Sequence, residues 1–381
     1  MVYKLDGGTV IDQDGNLNIE NLRATATNPN ATSGTSIGFN TTFGYTLGGR
    51  VTVPGSAINQ IDRFQLVSRA NAADVGDLIA TKYYTAGVAS PTHGYSVGGG
   101  YTPPFGNYNV IEKFPFSGLT NTSDVGDLTR TVHGVGGAQS TTHGYAQGGG
   151  SPSENNIEKF PFSSDDNATD VGDVTQARRY NLGTSSPTHA YASGGYVTSG
   201  TTNIIDNTPF ASDANSSDVG DLTQARFMGG GTGTSSPSHG YFAGGATDGG
   251  PAKVNTIDKF PFSTDANASD VGELTFTSYG TTGITSETHG YAAGRGYPPI
   301  SSNIERYPFS TDAGGTDVGD LIANRQSMAG VSSIANGYAF GGRLSSIYYN
   351  HIQKHPFAVD ANTSDIAALT QARNNSAGHQ V

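Results

Sequence analysis

The sequence predicts an all-β fold, a seven-bladed β-propeller of four-stranded antiparallel blades with a short N-terminal β-hairpin extension. A marker, Asp-Val-Gly-Asp-Leu or a close variant, recurs every 46 to 52 residues, the length of a four-stranded blade. Glycine supplies 54 of 381 residues and only 34% are hydrophobic, which favours short strands and tight turns over long amphipathic helices. The seven copies begin at Asp74, Asp124, Asp170, Asp218, Asp270, Asp317 and Asp365.

Each repeat predicts its four strands in a fixed order. The first follows an arginine or its substitute, and the second is a Gly-Tyr-x-x-Gly-Gly element, as at Gly94. The third reads Ile-x-Lys-Phe-Pro-Phe, as at Ile111 to Phe116, and should end at its proline, which cannot donate to a ladder. The marker is the fourth strand. A single blade cannot bury both faces, so we expect residues 32–381 to close into a ring without free edges.

The landmarks make residues 32–373 resemble kelch repeats. The resemblance lies in the diglycine after a hydrophobic strand, the aromatic strand that follows and the Leu-Thr-Gln-Ala-Arg ending. It implies a propeller that binds partners. The sequence departs from the kelch pattern because it contains no tryptophan, and because the arginine of Arg178 and Arg226 is replaced by Val132 and Ser278.

Residues 1–31 precede the repeats and predict a separate anchoring segment. Val10 to Ile19 holds two short apolar stretches around Asp14-Gly15, a pattern typical of a hairpin. This opening resembles N-terminal segments of bacteriophage tail-fibre and other virion proteins. The resemblance implies attachment to other virion proteins through this segment.

Composition excludes several classes of partner. The net charge is −12 and no run of Lys or Arg could follow a phosphate backbone, so we expect no nucleic-acid partner. No stretch reaches the roughly 18 apolar residues of a membrane span, and residues 1–6 lack signal-peptide features. We therefore expect no membrane insertion and synthesis in a host cytoplasm. The absence of cysteine excludes disulfides and thiolate chemistry.

Two repeated polar patterns raise the question of metal binding. Histidine recurs before the tyrosine strand, but Phe43 and Asn336 take its place in two copies, which favours a turn over a metal ligand. Alternating oxygen-bearing residues precede the marker and resemble the start of a calcium loop. The same residues close Asx turns, so we predict no cofactor and keep calcium as the alternative. The alternative ligands are Asp213, Asn215, Asp265 and Asn267.

The loops between the diglycine and the third strand differ in every repeat. Strand alternation places them together on one face, opposite the Asp-rich loops. Varied loops on a constant scaffold commonly form a binding surface for sugar or protein, although their aromatic residues could equally pack the loops down. The candidate binding residues are Tyr101, Phe105, Tyr108, Tyr196, Tyr297, Tyr348 and Tyr349.

We expect a non-enzymatic bacteriophage virion structural protein, because no nucleophile, base and orienting group stand out from the repeat. It would be a tail-fibre, appendage or capsid-surface component at the particle surface, binding a host surface glycan or protein through its loops. The first alternative is a cellular kelch-type interaction scaffold, and the second is a glycan-active propeller enzyme. Fold alone does not rank them.

Overall fold

The computed structural model describes residues 3–5, 8–11, 43–51, 56–101, 106–118, 120–150, 152–227, 232–247, 253–296 and 299–380. Within these ranges the chain is all β and forms seven four-stranded antiparallel sheets in a propeller ring, as predicted. We number the blades I to VII in the chain order of their second strands. Across the described ranges, no helix has the length and apolar character needed to span a membrane.

The four strands of every blade follow the predicted order from the axis outwards. The inner strands of blades I to VII are Ala377–Gln380, Ala86–Ala89, Gly136–Gln139, Leu182–Ser185, Thr232–Ser235, Thr282–Thr285 and Ala329–Ser332. The second strands are Phe43–Arg50, His93–Val97, His143–Gln147, His189–Ser193, His239–Ala243, His289–Arg295 and Asn336–Phe340. The third strands are Ala57–Gln65, Gly106–Pro115, Asn156–Pro161, Ile204–Pro209, Val254–Pro261, Ser301–Pro308 and His351–Pro356. The outer strands are Ala73–Asp77, Ser123–Val132, Thr169–Asp173, Ser217–Asp221, Ser269–Ser278, Thr316–Asp320 and Ser364–Ala368.

Short additional strands extend some loops and the N-terminus. A two-residue strand, Gly100–Tyr101, pairs with the third strand of blade II. Two loop hairpins pair Tyr196–Val197 with Gly200–Thr201 and Arg343–Leu344 with Ile347–Tyr348. Near the N-terminus, Tyr3–Leu5 pairs with Gly8–Ile11. Of the hairpin predicted over Val10 to Ile19, Val10 and Ile11 belong to the strand Gly8–Ile11, and the turn at Asp14-Gly15 and the residues after it lie outside the described residues.

The ring is closed by strands from the two ends of the described propeller. Gly378 and His379 of the inner strand of blade I lie opposite Thr46 and Tyr45 in the second strand. The inner strands contact one another in sequence around the axis, and the strand Ala377–Gln380 completes that circle between blades VII and II. Blade I is therefore a sheet of one C-terminal and three N-terminal strands, a pairing of high sequence separation.

Aromatic contacts hold neighbouring blades together. The tyrosine of each second strand packs on the residue that ends the Phe-Pro-Phe element of the next blade. Tyr95 stacks on Phe162 with ring centroids 5.0 Å apart, and the Tyr45 hydroxyl donates to the Phe116 carbonyl at 2.9 Å. In the last interface the Tyr338 hydroxyl donates to the carbonyl of Leu66, which replaces the phenylalanine in blade I. These interblade aromatic contacts bury a large apolar surface in a chain that contains no tryptophan.

A buried cation follows the outer strand in most blades and pairs with the third strand of the next. The Arg226 guanidinium donates to the Asp258 carboxylate at 2.7 Å, and both side chains are fully buried. The diglycine of blade IV packs against the backbone of this arginine. The Gly195 amide donates to the Arg226 carbonyl at 2.9 Å, and a Cβ on Gly194 would lie 2.4 Å from that oxygen. The equivalent pairs are Lys82–Glu112, Arg178–Asp206 and Arg373–Asp62.

Candidate binding face

The topology separates the connections onto two opposite faces, as predicted. We call the side that carries the second-to-third loops and the connectors from an outer strand to the next inner strand the loop face. The turn face carries the inner-to-second turns and the Asp-rich third-to-outer loops. Because consecutive strands are antiparallel in every blade, these two sets emerge at opposite strand ends.

The turn face repeats the same interblade contacts around the ring. The Ser216 amide donates to the Asp173 carbonyl at 2.8 Å, and Asn215 Oδ1 accepts from the Asp173 amide at 3.0 Å. The glycine of the marker permits this approach, since a Cβ on Gly172 would lie 2.6 Å from backbone atoms of Ala214. The backbone contact recurs between all seven pairs of neighbouring blades in the described chain.

These contacts give the calcium-like pattern a structural role. Asn267 Oδ1 accepts from the Asp221 amide at 3.0 Å, as Asn215 does in the preceding interface. Asp213 forms an ion pair with Lys159 of the preceding blade, with the carboxylate oxygen 2.7 Å from Nζ, whereas Asp265 is exposed in its loop. Among the residues that the structure describes, no group of three His, Asp or Glu side chains is arranged to hold a metal ion.

The recurring histidines lie at the start of the second strands, on the turn side, as predicted. Nδ1 of His93 contacts Oγ1 of Thr92 at 2.9 Å, and its carbonyl accepts from the Ser90 amide at 2.9 Å. Partial burial lowers the pKa of His93. The same turn recurs at His143, His189, His239 and His289.

The predicted aromatic residues of the loop face take different positions. The Tyr349 ring lies 4.2 Å from the buried Arg325 guanidinium and packs the loop down. Tyr196 is half-buried between Arg179, at 5.1 Å, and Phe227, at 5.6 Å between ring centroids.

The remaining predicted aromatics lie in the second-to-third loops of blades II, VI and VII. Tyr108 is half-buried, with its ring 6.0 Å from Lys82 Nζ, and Tyr348 is half-buried. Tyr101 pairs with Gly106 through its backbone. Phe105 and Tyr297 lie outside the described residues.

The connectors to the inner strands form a ring at the axis that sequence analysis missed. The Gly134 amide donates to the Tyr84 carbonyl at 3.2 Å, and the Tyr180 amide donates to the Gly134 carbonyl at 2.7 Å. Tyr84 and Tyr180 adopt left-handed backbone conformations, with φ of 56° and 54°, which non-glycine residues rarely take. Such conformations persist where surrounding structure imposes them, and they concentrate at functional sites.

Two tyrosine rings meet on this ring of connectors, and a third tyrosine lies near them. The Tyr84 and Tyr180 rings lie 5.8 Å apart at an interplanar angle of 72° across Gly134, where a Cβ would lie 2.7 Å from the Tyr180 ring. Tyr279 lies near enough to contribute to the raised pKa of both, although burial is the larger cause and raises the pKa of Tyr180 to about 12. Tyr84 keeps 39% of its surface exposed. We call Tyr84, Tyr180 and Tyr279 the axial tyrosines.

Three arginines lie near Tyr84 or Tyr180, since Arg50 and Arg343 act to lower the pKa of Tyr84 and Arg179 that of Tyr180. Arg50 exchanges backbone hydrogen bonds with Asn374 at 2.8 and 3.0 Å, and Arg343 exchanges them with Gln326 at 3.0 Å. Arg179 lies 5.9 Å from the Tyr180 ring. Among the described residues, no carboxylate lies within 4 Å of these three guanidinium groups, whereas the Lys and Arg of the turn face are paired with Asp in four interfaces.

A signal for the axial cluster was present in the sequence. Aligning the repeats on the arginine position puts two residues that vary in every copy immediately after it. These pairs are Tyr83-Tyr84, His133-Gly134, Arg179-Tyr180, Phe227-Met228, Tyr279-Gly280, Gln326-Ser327 and Asn374-Asn375. Variation at the point nearest the axis is as informative as variation in the longer loops.

The fold and its two faces define a closed seven-bladed β-propeller with one repetitive face and one varied face. Comparison with known proteins adds no narrower class. The chain matches no protein-family model, and no curated protein matches it significantly.

Proposed function

We propose that the chain is a non-enzymatic binding protein of a bacteriophage particle, presenting the loop face to a host surface or to a neighbouring virion protein. The observation that carries the binding role is the contrast between the faces. The turn face uses its Asp and Asn side chains to join blades in a nearly seven-fold pattern. The loop face differs in every blade, and specific recognition needs a surface that is not repeated seven times.

The particle context rests on the resemblance of residues 1–31 to N-terminal segments of tail-fibre and other virion proteins. In this proposal that segment attaches the chain to other virion proteins and the propeller faces outwards. We also propose that the repeat is kelch-like, on the basis of its diglycine, its aromatic strand and its Leu-Thr-Gln-Ala-Arg ending.

Mass spectrometry of purified bacteriophage particles tests whether the chain is a virion component. We expect the chain in many copies per particle, at a constant ratio to the major structural proteins through successive purification steps. Recovery only with a soluble cellular partner would support the interaction scaffold instead. Turnover of any member of a glycan panel would support the enzyme.

Surface binding by the labelled full chain tests the face. Ile347 is 56% exposed at a loop tip of blade VII, next to the half-buried Tyr348. Replacing both with serine should weaken binding by about 1 kcal/mol or more if they form a hot spot. Val359, 57% exposed on the turn face, is the matched control and its change to serine should leave binding unaltered. Loss of binding with Val359→Ser alone would place the functional surface on the turn face.

A further inference from the structure

The axial cluster combines features that recognise a charged sugar. Tyr84 and Tyr180 present aromatic rings at 72°, which offers a flat apolar face beside a second ring edge. Arg50 and Arg343 belong to the adjacent blades I and VII and lie near enough to affect Tyr84 electrostatically. With the Asn374 amide oriented so that its nitrogen meets the Arg50 carbonyl at 3.3 Å, its oxygen accepts from Arg343 Nε at 3.3 Å.

Two of these arginines keep a hydrogen-bond donor for an anion. The Nε atoms of Arg50 and Arg179 are buried and have no hydrogen-bond partner among the described residues. A buried donor without a partner is destabilising, and an anionic ligand would supply the missing acceptor. Arginine is also the side chain best suited to hold a carboxylate or sulfate through two parallel hydrogen bonds.

The charge distribution favours the same ligand. The chain carries a net charge of −12, yet acidic side chains concentrate in the loops of the turn face, where Asp213, Asp312 and Asp360 are paired with cations of the preceding blade. The axial end of the loop face carries guanidinium groups that no described carboxylate neutralises. A locally positive site on an otherwise acidic protein attracts small anions, and it does not repel a neutral sugar chain to which the anionic group is attached.

The backbone around the axis argues against an extended peptide as the ligand. Peptides that add a strand need unpaired amides and carbonyls at a sheet edge. Here the connector amides of Gly134, Tyr180, Ser327 and Asn375 already donate to carbonyls of neighbouring connectors at 2.7 to 3.2 Å. Recognition must therefore come from side chains, and these are aromatic rings and guanidinium groups.

We propose that the axial tyrosines, with Arg50, Arg179 and Arg343, bind an acidic sugar, a pyranose ring that carries a carboxylate or a sulfate. The ring of the sugar would pack on Tyr84 and Tyr180, and the anionic group would accept hydrogen bonds from the arginines. The inference rests on the proposed binding function and names the chemical class of its ligand.

Isothermal titration calorimetry with the full chain tests the proposal. The probes are tetragalacturonate as the carboxylated sugar, a sulfated glucan tetrasaccharide, neutral maltotetraose and tetraglutamate. We expect one or both acidic sugars to bind at least tenfold more tightly than maltotetraose and tetraglutamate. Comparing the two acidic sugars identifies which anion the site takes. Equal affinity for the neutral sugar, tighter binding of tetraglutamate or the absence of sugar binding would overturn the proposal.

Variants locate the binding site. Tyr84→Asn and Tyr180→Asn remove the rings while keeping a residue that tolerates a left-handed backbone, as Asn375 does at φ of 51° in the same ring. Arg343→Gln removes a cation without shortening the side chain greatly. Each should lower the affinity for the acidic sugar at least tenfold. The matched control is Arg69→Gln, an exposed arginine on the turn face, which should change affinity less than twofold.

Two readouts keep the sugar proposal separate from the proposed function. Melting curves confirm that each variant is folded, and an acidic sugar added to the wild-type chain competes for its surface target without any substitution. If the labelled chain binds its surface equally well with Tyr84→Asn and in the presence of excess acidic sugar, the sugar proposal fails while the binding function stands. If the chain binds acidic sugars but no particle or host surface, the function fails.

Discussion

The Arg373 guanidinium donates to the Asp62 carboxylate at 2.9 Å, although 311 residues separate the two in the chain. Both side chains are fully buried, and the pair joins the end of blade VII to the third strand of blade I. The Thr370 amide donates to the same carboxylate at 2.9 Å. The pair therefore lies at the junction that closes the ring.

Replacing Arg373 with methionine should destabilise the propeller by about 3–5 kcal/mol, because it leaves the Asp62 charge buried without a cation. Urea unfolding followed by circular dichroism measures the change. Arg306→Met is the control, since its ion pair with Asp360 is half-exposed and should contribute no more than about 1 kcal/mol. Equal losses in the two variants would show that burial of the closing pair has no special effect.

The interface between blades VI and VII contains a buried arginine without its carboxylate. Arg325 occupies the cation position, but the residue equivalent to Asp258 is Gln353, and Nη2 of Arg325 has no hydrogen-bond partner among the described residues. Burial lowers the pKa of Arg325 to about 10. Gln353 Oε1 accepts from the Ile322 amide at 2.7 Å and from Thr363 Oγ1 at 2.8 Å, the contacts that Glu112 makes in blade II.

Gln353→Glu should therefore stabilise the propeller by about 1–2 kcal/mol, since a charged acceptor replaces an amide whose nitrogen has no described partner. Thermal melting at neutral pH measures the gain. Gln353→Met, which removes the acceptor, should destabilise it and serves as the control. A lower melting temperature for Gln353→Glu than for the wild type would contradict the pairing.

The marker glycine should be required wherever the next blade approaches closely. Gly220 has φ of 150°, and a Cβ there would lie 2.5 Å from the Ala266 carbonyl oxygen. We expect Gly220→Ala to lose about 1–3 kcal/mol through overpacking and backbone strain. Blade VII carries Ala367 at this position, so Ala367→Gly is the control and should change stability by about 1 kcal/mol or less. Comparing urea midpoints decides the matter, and an unchanged midpoint for Gly220→Ala would refute it.

His379 should make stability depend on pH. It is buried in the inner strand of blade I, 5.8 Å from the Phe114 ring, and burial lowers its pKa to about 4. Because the unfolded chain protonates this histidine near pH 6.5, the unfolded state binds more protons between those values. The stability that depends on neutral His379 is complete above pH 6.5 and is lost as the pH falls towards 4. The loss reaches about 2–3 kcal/mol at pH 4.5.

His379→Val provides the comparison, because Val88 and Val331 occupy the same position in blades II and VII. Unfolding free energies at pH 7 and pH 4.5 for the two proteins cancel the carboxylates that both share. We expect the wild type to lose about 2–3 kcal/mol more than the variant over this interval. Parallel losses would show that burial does not lower the pKa of His379 in the folded protein.

Local chemistry made much of the fold predictable. A proline in the third strand cannot donate to a ladder, and Pro115, Pro161 and Pro261 do end their strands. The marker glycine and the diglycine identified tight approaches, and the alternation of antiparallel strands placed the loops on two faces. Each of these rules needs only neighbouring residues, and for that reason the number and order of strands could be read from the sequence.

The candidate site was less predictable, because its members are brought together by the ring. The long loops attracted attention, yet Tyr349 covers Arg325 and Tyr196 packs between Arg179 and Phe227. The axial tyrosines come from connectors of blades II, IV and VI that are far apart in the chain. Their meeting depends on how closely the blades converge at the axis, which no single repeat specifies.

The sequence by itself determined the repeat, the four strands of each blade and their number, since hydrophobic patterning and turn residues act over a few positions. Only the tertiary structure decided that residues 377–380 complete blade I, that Arg373 meets Asp62, and that the rings of Tyr84 and Tyr180 meet near the axis. Those contacts form when seven blades close on one another, and closure is a property of the whole ring because each blade must bury its faces against two neighbours.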